Sequence, residues 1–282
     1  MRIARSLAWS LALCALPAWA QTVPKVLLVG DSWAAQQWED GVHALVFAAH
    51  DAERFGVVGA TTTESGSTAA EWAAPSGLAL ISQALDANPS IDTVQLTIGG
   101  NDFLDAWSVS MSPPDAAALR QQIRDDLDTV IHHIIDTRPQ VEIVISLYDY
   151  PNFRDTLNSL AGIAVCRPLH QSMGSPTPAQ INEAMADFES DLASLTAHPR
   201  VRHVSHAGQM QFTFGVDTFA PGDLPPPGDP SRPSPVTAMR DHGFVGRDCF
   251  HLTPSGYDVL VQNLYENYFH VRFDTLLRTP FE

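Results

Sequence analysis

Three short groups of residues have types and spacing suited to covalent chemistry. Gly30-Asp31-Ser32 stands directly after the apolar run Lys25 to Val29. A serine on a tight turn between strand and helix exposes its hydroxyl and sets its N–H at a helix N-terminus, an arrangement suited to a nucleophile beside a developing anion. Taken alone, the same triplet serves as an ordinary N-cap. Gly99-Gly100-Asn101-Asp102 follows the apolar run Thr93 to Ile98. Its glycines let the backbone approach a ligand, and Asn101 offers an uncharged amide donor, although a plain glycine turn would look the same. Asp248-Cys249-Phe250-His251 places a carboxylate three residues before an imidazole, close enough on one loop to accept the ring N–H and fix its tautomer.

Residues so far apart in the chain need a scaffold. Apolar runs alternate with amphipathic stretches, the pattern of an α/β sheet flanked by helices. Strands are expected at Lys25 to Val29, Phe55 to Gly59, Thr93 to Ile98, Val141 to Leu147 and Val201 to Val204. Helices are expected at Ala34 to Ala52, Ser76 to Ala87, Pro114 to Thr137, Thr177 to Leu195 and Pro254 to Phe269. Pro221 to Pro235 holds seven prolines and two glycines. The wider stretch, 208–247, reads as a long excursion over the surface of one domain.

The three groups, in this order and spacing, resemble the SGNH hydrolases, also called the GDSL lipase/esterase family, over nearly the whole chain. That resemblance implies a flavodoxin-like three-layer α/β/α sandwich with a central parallel sheet. It implies Ser32 as nucleophile, His251 as base and Asp248 as its orienter, with Asn101 and a glycine N–H completing an oxyanion hole. Ser65-Gly66-Ser67-Thr68 resembles the block that supplies that glycine, which makes it Gly66, with Gly59 the competitor. Trp33 stands where the family's usual motif has leucine, which bears on the acyl pocket and not on the triad. The implied activity is serine-dependent ester hydrolysis without metal or organic cofactor, on a small-molecule, lipid or acylated-sugar ester. An acyltransferase on the same triad and a non-catalytic binding module are the alternatives.

Other readings fall away. The Gly-x-Ser-x-Gly elbow of α/β-hydrolases is absent, as are the blocks of a binuclear metallophosphatase. His132 and His133 are adjacent on a helix and cannot share a face. Asp31 and Asp102 are read as turn braces, and His203 and His206 as satisfied polar residues. Trp33, Phe103, Trp107 and the segment from Tyr148 are candidates to line the site. Phe212, Phe214, Phe219 and Phe244 are candidates to cover it.

The 282 residues include 16 Lys+Arg against 32 Asp+Glu, a net charge of −16. Such a chain repels phosphate backbones and anionic membrane surfaces, so nucleic acid is not an expected partner. Arg2 and Arg5, the apolar stretch Leu7 to Leu16 and Ala18-Trp19-Ala20 read as a signal peptide cut after Ala20. The domain then spans 21–282 and the protein is secreted or periplasmic. No later apolar run is long enough to span a membrane. Cleavage would leave Cys166 and Cys249, an even pair that invites a disulfide in an oxidising compartment, two buried thiols being the alternative.

Overall fold

The computed structural model describes residues 22–160 and 162–278. The expected signal peptide lies outside them. Five strands, β1 (Val23–Gly30), β2 (Phe55–Val58), β3 (Thr93–Thr97), β4 (Glu142–Ser146) and β5 (Val201–Val204), form a parallel sheet in the order β2-β1-β3-β4-β5. The helices between them are α1 (Ser32–Glu39), α2 (Val42–Ala49), α3 (Ala69–Ala73), α4 (Pro75–Ala87), α5 (Gly100–Ala106), α6 (Pro113–Thr137), α7 (Phe153–Thr156), α8 (Arg167–Ser172) and α9 (Pro178–Ala193). After the sheet come α10 (Gln209–Phe214), an antiparallel pair β6 (Met239–Asp241) and β7 (Arg247–Leu252), then α11 (Pro254–Leu264) and α12 (His270–Arg278).

Parallel strands buried on both faces are largely apolar, and Val26 to Val29, Val94, Leu96 and Ile143 to Ile145 are at most 1% exposed, although Thr93, Gln95 and Thr97 of β3 are buried too. Helices α1, α2 and α11 pack together as one group, and α3, α4, α6 and α9 as another. The sheet with its two helical layers is the α/β/α sandwich expected. This strand order is that of flavodoxin-like sheets, in which chain direction switches between β1 and β3 and leaves a crevice at their carboxyl ends. At that point Gly30 lies so close to β3 that a Cβ would stand 2.1 Å from the Thr97 carbonyl oxygen, which only glycine avoids.

Where the chain departs from the expected elements, the reasons are local. The helix expected over Ala34 to Ala52 is two, because Gly41 adopts φ +65° and ends one to start the other. The last helix does not stop at Phe269. It passes through a π-helical turn, Tyr265–Phe269, into α12, and Phe269 and Phe273 pack on Phe47 with ring centroids at 5.3 and 5.0 Å. The segment holding Asp248 and His251 is not a loop but β7. Irregularity over 208–247 is also only partial, since α10 and β6 lie within it. The proline-rich part is pinned by side-chain amides. Asn182 donates to the carbonyls of Pro230 and Arg232, Gln211 to those of Asp229 and Arg232, and Asn152 to that of Ser234. Prolines bring no N–H of their own, so this stretch has carbonyls in excess and is held by donors from elsewhere.

Candidate active site

The turn after β1 starts α1 at Ser32. Asp31 caps that helix, its Oδ1 accepting the Trp33 N–H at 2.9 Å. Ser32 therefore takes the first helical position, where an N–H has no acceptor within the helix. Its side chain meets β7: Ser32 Oγ lies 2.8 Å from His251 Nε2, and His251 Nδ1 lies 2.8 Å from Asp248 Oδ2. Asp248 Oδ1 also accepts the backbone N–H groups of Phe250 and His251, at 2.7 and 3.0 Å. Burial pushes the Asp248 carboxyl upward. The hydrogen bond and charge of His251, with the two N–H groups, outweigh that and hold it well below the usual carboxylate range.

The turn after β3 and the loop after β2 are tied to one another. Asn101 Nδ2 donates to the Ser67 carbonyl at 2.8 Å, and Asp102 Oδ2 accepts the Ala69 N–H at 2.8 Å. This pair of bonds sets Gly66 beside Asn101. Ser32, Gly66, Asn101, Asp248 and His251 all line one cavity of about 370 Å³. Gly59, the competing glycine, faces Leu28, Thr63 and Trp38 instead.

Trp33, Phe103 and Tyr148 line the cavity as well, but Trp107 stands behind Phe103 at a ring distance of 5.2 Å. Phe212, Phe214, Phe219 and Phe244 are not among its walls, and Phe244 is fully exposed. Apart from Phe250, inside the Asp248 to His251 group, the wall comes from residues that carry no motif: Leu104, Val165, Leu169, Met185 and Phe188. Cys166 and Cys249 form a disulfide, with Cα atoms 6.0 Å apart, that ties this wall to β7.

Asp31 does more than cap. Its Oδ2 accepts the hydroxyl of Tyr148, which in turn accepts the Gly100 N–H at 2.9 Å, so the turns after β1 and β3 are joined through one side chain. His242, from the β6–β7 turn, brings Nε2 to 3.6 Å from Asp248 Oδ2. Nothing in its spacing marked it, since the turn that folds it back is irregular. Cys166, Asp248 and Cys249 have atoms close enough to hold an ion, but both sulfurs are consumed by the disulfide. His132 bonds within its own helix, to Asp128, and His206 is fully buried between Ser146 and Asn263.

Among solved structures, a carbohydrate acetylesterase from Sinorhizobium meliloti shares 12% identity, with 88% of this chain and 99% of that chain covered and a TM-score of 0.52. The periplasmic domain of a lipopolysaccharide acetyltransferase from Salmonella ser. Paratyphi A shares 12%, with 89% and 85% covered and a TM-score of 0.51. At such identities the likeness is one of fold. No curated protein matches the chain. The sequence matches the GDSL-like Lipase/Acylhydrolase family over residues 28–259, most of its length. With its sheet order, its β1–β3 crevice and the residues gathered there, this chain belongs to that family of ester-hydrolysing enzymes.

Proposed function

We propose that the protein is an exported carboxylic-ester hydrolase that works through an acyl-enzyme on Ser32. The observation that carries this reading is the continuous relay Asp248–His251–Ser32, both of its side-chain links at 2.8 Å. His251 Nε2 takes the proton of Ser32 as Oγ bonds to the ester carbonyl carbon. Asp248, an ionised acceptor at Nδ1, stabilises the imidazolium that forms. The N–H groups of Ser32 and Gly66 and the amide of Asn101 stabilise the oxyanion. When the carbon–oxygen bond breaks, the alcohol leaves with the proton from His251. Water then repeats the sequence on the acyl-enzyme and releases the acid.

Export is supported by the charged, apolar and small-residue order of the first twenty residues, and by the Cys166–Cys249 bond, which fits an oxidising compartment. An N-terminus at Gln21 in protein recovered from outside the cytoplasm tests it. Hydrolysis is tested with p-nitrophenyl esters and Ser32→Ala. Wild type turns them over, and the variant falls by on the order of a million-fold in kcat, as loss of a triad serine does elsewhere. A Ser32→Ala protein that keeps its turnover removes Ser32 as nucleophile.

A further inference from the structure

The cavity beside Ser32 is far larger than the reacting group needs, and its lining is uneven. Ser32, Gly66, Asn101, Asp248 and His251 gather around the reacting centre. Asp31 and Tyr148, which also line it, are already paired with each other, and the other polar side chains are Ser65 and Gln36, whose Oε1 is buried without a partner. The rest of the wall is dominated by Phe103, Leu104, Val165, Leu169, Met185 and Phe188. That wall is backed by rings: Phe103 stacks on Phe188 at 5.8 Å and on Trp107 at 5.2 Å. Phe250, beside His251, is braced edge-on by Phe153 at 4.9 Å.

Along that stretch of wall a chain finds surface that accepts methylene groups and gives a hydroxyl no partner. An acetyl group would leave most of the 370 Å³ empty. Val165 is part of the lining and also 64% exposed, so it stands at the mouth. Ile163 and Leu160, earlier in the same segment, are exposed too and carry the apolar surface outward. The disulfide from Cys166 holds this segment against β7 through Cys249, the residue next to Asp248.

We infer that the cavity is an acyl-chain site for aliphatic esters of medium length, with the segment from Ile163 to Leu169 as its clamped outer wall. This deepens the ester-hydrolase reading and rests on it. The acyl chain lies along Phe103, Met185 and Phe188, and the alcohol leaves on the solvent side.

The test is kcat/KM for p-nitrophenyl acetate, butyrate, octanoate and palmitate, using the exported protein with its disulfide intact. Octanoate should exceed acetate by about tenfold or more, since each methylene buried in the transition state can contribute up to roughly fourfold. Leu169→Trp narrows the cavity, and Val165→Asp sets a charge at its mouth. Each should lower the octanoate-to-acetate ratio by about tenfold. Val165 is exposed, so its variant is readable even where the tryptophan disturbs folding. Acetate as the preferred substrate of the wild type, or a ratio unmoved in Val165→Asp, overturns the inference. Ser32-dependent turnover that favours acetate would leave the ester-hydrolase reading standing, whereas no turnover of any ester would remove both.

Discussion

Tyr148 joins the turn that carries Ser32 to the turn that carries Asn101. Its hydroxyl donates to Asp31 Oδ2 and accepts the Gly100 N–H, and with Oδ1 accepting the Trp33 N–H both carboxyl oxygens of Asp31 are used. Burial pushes Asp31 up to about 6, against the lowering effect of its bonds from Tyr148 and Trp33. Burial and the adjacent carboxyl push the Tyr148 hydroxyl well above its ordinary range, so it remains a donor. Tyr148→Phe deletes a donor and an acceptor at once and leaves Asp31 Oδ2 and the Gly100 N–H unpaired. That should cost about 1–3 kcal/mol of stability. Because both turns then lose their common tie, kcat for a short ester should fall by about ten- to a hundredfold, with KM changing less than about threefold. A variant that melts earlier yet keeps its kcat would make Tyr148 a brace with no part in positioning. In sequence Tyr148 stands out only as a residue after a strand. Its partner Asp31 is 117 positions away, and no local spacing points from one to the other.

Elements were legible in proportion to their length and periodicity. The five sheet strands read to within a residue or two: β1, β3 and β4 lie mid-sheet and are largely buried on both faces, whereas the edge strands β2 and β5 are only partly buried and read from Phe55, Val57, Val58, Val201 and Val204. Helix α6 announces itself by a Ser112 cap, Pro113 and Pro114 at its start and buried Ile123, Leu127, Val130, Ile131 and Ile134 at three- and four-residue steps. Helices α3 and α7 have too few residues to establish a period. Strand β7 escaped because Arg247, Asp248 and His251 interrupt its apolar pattern, with only Cys249 and Leu252 fully buried. Ser32, Asp248 and His251, which the fold brings together at 2.8 Å, stood out through their blocks, but the cavity wall did not, since Val165, Leu169 and Met185 look like any apolar residues. What fixes that wall is the Cys166–Cys249 bond across 83 positions. A native disulfide typically stabilises a fold by about 2–4 kcal/mol. A Cys166→Ser/Cys249→Ser double variant should therefore melt roughly 5–15 °C lower. Two free thiols by intact mass in wild-type protein recovered from outside the cytoplasm would sink the premise.

At the scale of the whole molecule, the interior holds ionisable groups whose preferences oppose one another. His43 is buried with Nε2 at 2.9 Å from Gln95 Oε1, and burial pushes it down to about 4. His206 is pushed down to about 3, by burial first and by neighbouring His203 second. Burial pushes Asp31 up to about 6. Asp149 goes up to about 7, although its carboxylate accepts the N–H groups of Tyr150, Gly208 and Met210 and so fastens the start of α10. The signs follow from proton counts. Each histidine is held neutral in the fold, so its stabilising contribution is complete above about 6.5 and is lost as pH falls through the folded value. Each raised carboxyl does the reverse, contributing fully below about 3.8 and losing that contribution as pH rises through about 6 or 7. Across pH 4 to 6.5 the two sets pull against each other, so the wild-type slope is shallower than either set alone would give. Removing one histidine unmasks the other side. His43→Gln, which keeps an amide within reach of Gln95, should gain about 2 kcal/mol relative to wild type on going from pH 7 to pH 4.5. Urea unfolding of both proteins at the two pH values measures this directly. A difference between variant and wild type that stays constant from pH 7 to pH 4.5 would mean that His43 is not held neutral by its burial.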